Sequence, residues 1–222
     1  MRINKFVAQA TGMSRRAADA AITDFRVGIN GKTAQLGSEV TDSDVVTVDG
    51  RTVKLPVNTV TIMLNKPPGY IVSRDGQGSN TIYDLLPFEY DRLKPVGRLD
   101  KDSSGLILLT NNGDLANKLT HPSYQKSKVY EILLDSPLQP LHRQIISDHG
   151  LKLEDGPSKL QLERLVEGND RKWKVTMSEG RNRQIRRTFA ALGYTVTKLH
   201  RTHFGPYALQ NVNEGTYKEL LP

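Results

Sequence analysis

Two carboxylates and two cations crowd one short turn. Arg98, Asp100, Lys101 and Asp102 follow Gly97 and lead through Ser103, Ser104 and Gly105 into the apolar run Leu106, Ile107, Leu108, Leu109. A carboxylate can attack as a nucleophile or remove a proton as a general base, and a neighbouring cation keeps it ionised and in place. The apolar run is too short for a typical helix and is closed by Thr110 and the turn Asn111-Asn112-Gly113, so residues 96–110 read as a polar loop standing on a strand buried on both faces. Loops on rigid supports are where reacting groups are held. In an extended segment Asp100 and Asp102, two apart, project to one side. Taken alone, the same residues also describe a solvated acidic turn.

A second cluster is EGRNRQIRRTFAAL, residues 179–192, where Ile185, Phe189 and Leu192 give an expected helix its apolar face and Arg181, Arg183, Arg186 and Arg187 crowd its first turns. Cations are unfavourable at the positive end of a helix dipole, so an anion is expected to answer them: a phosphate, or a carboxylate from another strand. Lys66 and Tyr70 flank Pro67-Pro68-Gly69, a stiff segment that reads first as a hairpin turn. Tyr130 sits in the alternating stretch SKVYEILLD, on one face with Ile132 and Leu134, while Val129, Glu131 and Leu133 take the other. His200 and His203 are three apart without an accompanying Cys or carboxylate pattern, so no metal site is expected.

The composition narrows the classes of partner. Among 222 residues, 31 Lys and Arg against 24 Asp and Glu leave a formal charge of +7, which favours a polyanion. The absence of Cys excludes disulfides, thiol catalysis and Cys-held zinc or iron–sulfur centres. With no signal-peptide pattern and no apolar run of membrane-spanning length, a soluble, cytoplasmic chain without membrane attachment is expected.

Local pattern then places these residues on elements. Ile3, Phe6, Val7 and Ala10 mark one helix, ended by Gly12; Ser14 caps another with the stripe Ala17, Ala18, Ala21, Ile22, Phe25. Short strands around Asn30-Gly31 and Asp49-Gly50 follow. The cations Arg2, Lys5, Arg15, Arg16, Arg26 and Lys32 cluster in this stretch. RINKFVAQATGMSRRAADAAI with FRVGINGKTAQLGSEV resembles the S4 RNA-binding domain. The resemblance implies RNA contacts from Arg2, Lys5, Arg15, Arg16 and Lys32, and it departs at Ala17, where relatives carry Glu and could close a capping box. Residues 1–56 are expected to form this domain, 54–59 the connector and 60–222 a larger one. In the latter, Val60, Ile62 and Leu64 alternate as a strand, Thr81 caps a short helix before Pro87, Asp114 caps LANKLTH, Pro140 opens a helix with Leu141, Ile145 and Ile146, and strands are expected at 160–166, 173–177 and 196–199.

In this order, KPPGYIV, VGRLDKDSSGLILLTNNGDLANKL, KVYEILL and EGRNRQIRRTFAALGYTVTKLHRTHFG are similar to the motifs of RsuA-type ribosomal RNA pseudouridine synthases. The resemblance covers nearly the whole chain, with Ser103-Ser104 departing from the Thr-containing version of many relatives. It implies an α+β protein whose larger domain has a mixed, mainly antiparallel sheet flanked by helices. It implies isomerisation of a uridine without cofactor or metal, the N1–C1′ bond breaking and C5 taking its place. Asp100 would be the essential carboxylate, Arg186 its paired arginine and Tyr130 the ring against uracil. Arg98, Asp102, Ile185, Lys66, Arg183 and Arg187 would contact substrate. The implied partner is ribosomal RNA, large subunit before small, with the chain acting as a monomer. An RNA N-glycosidase and a non-enzymatic S4-containing assembly factor are the rival readings.

Overall fold

The computed structural model describes residues 1–56 and 58–221; Val57, within the expected connector, and Pro222 lie outside them. The chain divides into two compact units, Met1–Thr59 and Val60–Pro222.

In the first, α1 (Ile3–Thr11) ends at Gly12 and α2 (Arg15–Thr23) begins where Ser14 Oγ accepts the Ala17 amide at 3.0 Å. The cap thus forms without a glutamate at position 17. An antiparallel sheet follows in the order β2-β1-β3-β4, from β1 (Val27–Ile29), β2 (Lys32–Thr33), β3 (Val46–Val48) and β4 (Arg51–Val53). Ile3, Phe6 and Val7 of α1, Ala18, Ala21 and Ile22 of α2, and Val27, Val46 and Val48 of the sheet share one core. The buried stripe of α2 is narrower than expected: Ala17 faces solvent, and Phe25 is 81% exposed. The helix ends at Thr23, so helical phase no longer directs Phe25, whose φ is 57°.

The second unit is built on one mixed sheet, order β11-β12-β8-β13-β7-β5-β15. Its strands are β5 (Thr61–Lys66), β7 (Ser104–Thr110), β8 (Lys128–Leu134), β11 (Gln161–Arg164), β12 (Lys172–Met177), β13 (Val196–Phe204) and β15 (Tyr217–Leu220). The two-residue strands β6 (Lys94–Pro95) and β14 (Tyr207–Ala208) pair with β7 and β13. All these pairings are antiparallel except β7 with β13. A separate hairpin, β9 (Leu151–Leu153) and β10 (Gly156–Ser158), follows α4 (Pro140–Gln144) and a π-turn at Ile145–His149. Ile146 alone of that segment's expected apolar face is fully buried; Leu141 is exposed, since the turn widens there and breaks the helical phase. α3 (Gly113–Thr120) starts from Asn112, not Asp114: the Asn112 side chain accepts the Asp114 and Leu115 amides at 3.1 and 3.0 Å. Thr81 caps Ile82–Leu85, a short 3-10 helix, with Asp84 closing a capping box.

Every residue of β7 is buried. Ile107 and Leu109 join one core with Tyr130, Ile132, Trp173, Ile185 and Phe189; Leu106 and Leu108 join another with Met63, Leu119 and Phe204. Each such aliphatic side chain contributes about 1.5–3 kcal/mol through burial, so the strand beneath the acidic loop is anchored on both faces.

At Gly105 the backbone has φ 105°, and a Cβ added there would lie 2.3 Å from the Arg201 carbonyl oxygen. Both the conformation and the space require glycine. Gly105→Ala is therefore expected to destabilise this unit by more than about 3 kcal/mol. Urea unfolding followed by the fluorescence of Trp173, the single tryptophan, measures it; a loss below about 1 kcal/mol would show that β7 and β13 tolerate separation.

Candidate active site

The Asp100 loop is a tight turn: the Ser103 amide donates to the Asp100 carbonyl at 3.1 Å, placing Lys101 and Asp102 at its corner. The two carboxylates meet one partner because the chain reverses between them, not because it is extended. Beneath the turn lies Lys66, at the end of β5 and fully buried. Its ammonium donates to the carbonyls of Ser103 at 2.7 Å, Pro67 at 2.9 Å and Lys101 at 3.5 Å, and the Gly69 amide donates to Lys101 O at 2.7 Å. Lys66 is thus neither part of a hairpin turn nor placed to touch substrate; it supports the loop from inside. Burial pushes its pKa down to about 8, against the pull of Asp102 and Asp100.

Across the loop stands the arginine cluster. The helix, α5 (Gln184–Ala190), starts later than its sequence suggests, so Arg181 precedes it and Arg183 occupies the cap position at φ 46°. From there the Arg183 fork reaches Asp102 at 3.1 Å on both oxygens and Asp100 Oδ2 at 3.3 Å. Arg186 takes a different role from the expected pairing with Asp100. It reaches Asp102 Oδ2 at 3.2 Å and donates to the carbonyls of Asp102 at 3.1 Å and Val196 at 2.5 Å. The physical reason is the helix start: Arg183, half-exposed and outside the helix, swings over Asp100, while Arg186, one turn in and more buried, meets the loop backbone. The Arg183 hydrogen bonds and both guanidinium charges hold the Asp102 carboxyl below the usual range despite its partial burial.

The remaining arginines are answered by a carboxylate. Arg187 forks onto Asp155 of the β9–β10 hairpin at 2.6 and 3.0 Å, and Arg181 reaches the same residue at 2.7 Å. Of the two anions that could relieve the helix start, the structure supplies the carboxylate, and Arg187 is not left open for a phosphate. Its spacing in sequence from 181–187 is too long for Asp155 to have been matched from pattern. Behind it Gln184 is buried and donates to Ser158 Oγ at 3.1 Å, and Ser158 and Thr188 share a hydrogen bond of 2.8 Å.

Between loop and helix opens a cleft of about 1010 Å³. Arg98 and Asp100 line one side, Asn182, Arg183 and Ile185 another, and Lys128, Tyr130, Leu199 and Arg201 its floor. Tyr130 is 7% exposed on β8, as its alternation required. Arg201, 2% exposed in the middle of β13, was not singled out from sequence; the strand was expected to end at Leu199, and a cation two residues further on the same alternation was the available signal. His200 and His203 hydrogen-bond separately, to Ser104 and Thr202 at 2.9 Å each.

Residues 60–191 match the family described as RNA pseudouridylate synthase. The chain is 38% identical over 226 residues to an RNA pseudouridine synthase of Aquifex aeolicus (strain VF5), covering 99% of this chain and 90% of that one. It is 37% identical over 228 residues to the ribosomal large subunit pseudouridine synthase B of Bacillus subtilis (strain 168), covering 100% and 92%. A crystal structure of a pseudouridylate synthase matches it with a TM-score of 0.71 at 32% identity, covering 100% of this chain and 96% of that chain. The chain belongs to the RNA pseudouridylate synthase family. It is accordingly an enzyme, an RNA pseudouridine synthase.

The buried lysine gives a pH signature. An unfolded Lys66 keeps its proton to about 10.4, whereas in the folded chain it titrates near about 8. Between these values the unfolded state binds more protons, so this group makes stability rise with pH. Lys66→Met has no group that titrates there. Wild type should therefore gain stability relative to the variant as pH is raised through that window, read from urea midpoints; a gap that does not move with pH would show that Lys66 is not held in a desolvated site.

Proposed function

We propose that this chain isomerises a uridine of large-subunit ribosomal RNA to pseudouridine, with Asp100 as the reacting carboxylate. The observation that carries the reading is the position of Asp100: its carboxylate lies in a cleft floored by Tyr130 and bordered by Ile185, with a guanidinium 3.3 Å away. Arg183 aims the carboxylate, so that it either bonds C1′ or removes the C2′ proton. Tyr130 and Ile185 sandwich the base. Because C1′ is shielded in a stacked helix, the target nucleotide flips into the cleft, at a cost of a few kcal/mol that binding must offset. The large-subunit target is supported by the name of the Bacillus subtilis relative.

Residues 1–56 serve in this reading as an S4-type RNA-binding domain. Arg15, Arg16 and Lys32 are exposed there for phosphate contacts, with Arg2 and Lys5 near the start of α1. Arg26 is not in that set, since it forks onto Asp49 at 2.7 Å. A second RNA contact raises the effective concentration of target at the cleft. Among the described residues no helix is long and apolar enough to cross a membrane. Action on ribosomal RNA would be consistent with work in the cytoplasm.

Asp100→Asn should abolish pseudouridine formation while leaving RNA affinity within about threefold of wild type. A map of uridine modification in ribosomal RNA from cells with and without the protein identifies the target: loss of a site in large-subunit RNA supports the assignment, and loss confined to small-subunit RNA rejects it. Arg183→Ala should lower the single-turnover rate at saturating RNA, whereas Arg15→Ala with Arg16→Ala should weaken binding and flatten the dependence of log K on log salt. An Arg183→Ala defect cured by excess RNA would reject the pairing with Asp100 as the source of rate.

A further inference from the structure

The interactions of the loop and helix leave Arg201 unused. It stands opposite Tyr130 of β8 and Gly105 of β7. Directly opposed residues of an antiparallel pair share a face, so Arg201 and Tyr130 are neighbours on the cleft floor, and both line it. The Arg201 side chain is oriented from behind: Nε donates to the Leu106 carbonyl at 2.8 Å, and its guanidinium carbon lies 4.8 Å from the centre of the Phe204 ring. Nη2 is buried without a partner. Among the described residues no carboxylate lies within ion-pair distance of it. Lys128 lines the same cleft 5.6 Å from the same ring, and its proton affinity is lowered by burial and by the charge of Arg201. The Glu179 carboxylate does not fill the gap, being hydrogen-bonded to Arg181 and Gln184.

A buried guanidinium and a half-buried ammonium on a cleft floor stabilise negative charge more than fully water-exposed ones do. Arg183, Arg186, Arg181 and Arg187 are already engaged by carboxylates and Arg98 is exposed, which leaves Arg201 as a buried guanidinium on the cleft floor with no carboxylate partner among the described residues. The isomerisation proposed above generates an anion at this place. When N1–C1′ breaks, the bonding pair leaves with uracil and spreads over N1, O2 and O4. Asp100 meanwhile bonds C1′ or takes the C2′ proton, to be released or returned later. The charge persists until C5 bonds C1′, the C5 proton departs and N1 is reprotonated. We infer that Arg201, with Lys128 beside it, stabilises this uracil anion by its charge from the floor of the cleft. A phosphate is the poorer occupant, since the group lies 2% exposed on the floor beside Tyr130 and not at the rim.

The inference rests on the pseudouridine reading, and the test separates the two. RNA carrying the target uridine is compared with the same RNA carrying 5-fluorouridine, whose fluorine stabilises the base anion and lessens the need for help. Single-turnover consumption of the target nucleoside is measured at saturating RNA for wild type, Arg201→Met and Arg201→Lys. Arg201→Met should lose about a hundredfold on uridine, bind RNA within roughly threefold of wild type, and recover about tenfold of its deficit on 5-fluorouridine. Arg201→Lys should recover part of the uridine rate. The ratio of the two substrates within one preparation cancels any loss of folded enzyme, so a poorly folding variant still answers. Equal deficits on both substrates, or a deficit removed by excess RNA, overturn the inference. A wild-type enzyme inert on uridine, with Asp100→Asn no different from it, overturns the underlying reading instead.

Discussion

The parallel pairing of β7 with β13 is the contact on which the second unit depends. It joins His200 to Ser104 and Arg201 to Gly105, bringing segments almost a hundred residues apart into one sheet. It requires a residue without a side chain at 105, because the Arg201 backbone occupies the space a Cβ would need. The same crossing sets the acidic loop at one end of β7 and a buried cation on β13 beside it. Since β13 also pairs with β8, Tyr130 is carried to the same floor. Loop, cation and aromatic ring are therefore positioned by one set of backbone hydrogen bonds, not by three independent loops.

Charge around the cleft is arranged in matched sets. Asp102 draws Arg183 and Arg186 onto the loop, and Asp155 draws Arg181 and Arg187 onto the β9–β10 hairpin. These pairs are partly exposed, where a single ion pair contributes only about 0–1 kcal/mol. Their importance is geometric: Arg186 also donates to the Asp102 carbonyl and Lys66 to those of Lys101 and Ser103, so the turn is fixed by its backbone from both sides. Asp100 is less encumbered than Asp102, with one arm of Arg183 at 3.3 Å. A carboxylate so held is oriented without being neutralised on every side.

Much of this was legible from residues alone, for definable reasons. The run from Leu106 to Leu109 read as a strand buried on both faces, and it is one; the alternation of Tyr130, Ile132 and Leu134 gave their common face correctly. These are periodic signals, and packing enforces them. What pattern could not reveal was which ion answers which. Arg186 meets Asp102 instead of Asp100 because α5 begins at Gln184, one turn later than its composition suggests, and helix boundaries carry no strong periodic signature. Lys66 was expected to contact substrate, and its buried place was not legible because its partners are carbonyl oxygens, and every residue has one. Asp155 lay outside any motif, and Phe25 fitted a helical stripe that stops two residues earlier.

A turn braced by a buried ammonium and two guanidinium groups is ordered before any nucleic acid arrives. Little of the free energy of encounter then has to be spent on arranging the protein, and the deformation falls on the RNA. An enzyme of this kind behaves as a fixed mould. On the proposed reading it would admit nucleotides according to how cheaply their surroundings let them leave the stack, a uridine in a bulge or loop ahead of an identical sequence locked in a duplex. Rigidity in the protein becomes a filter on the softness of its substrate.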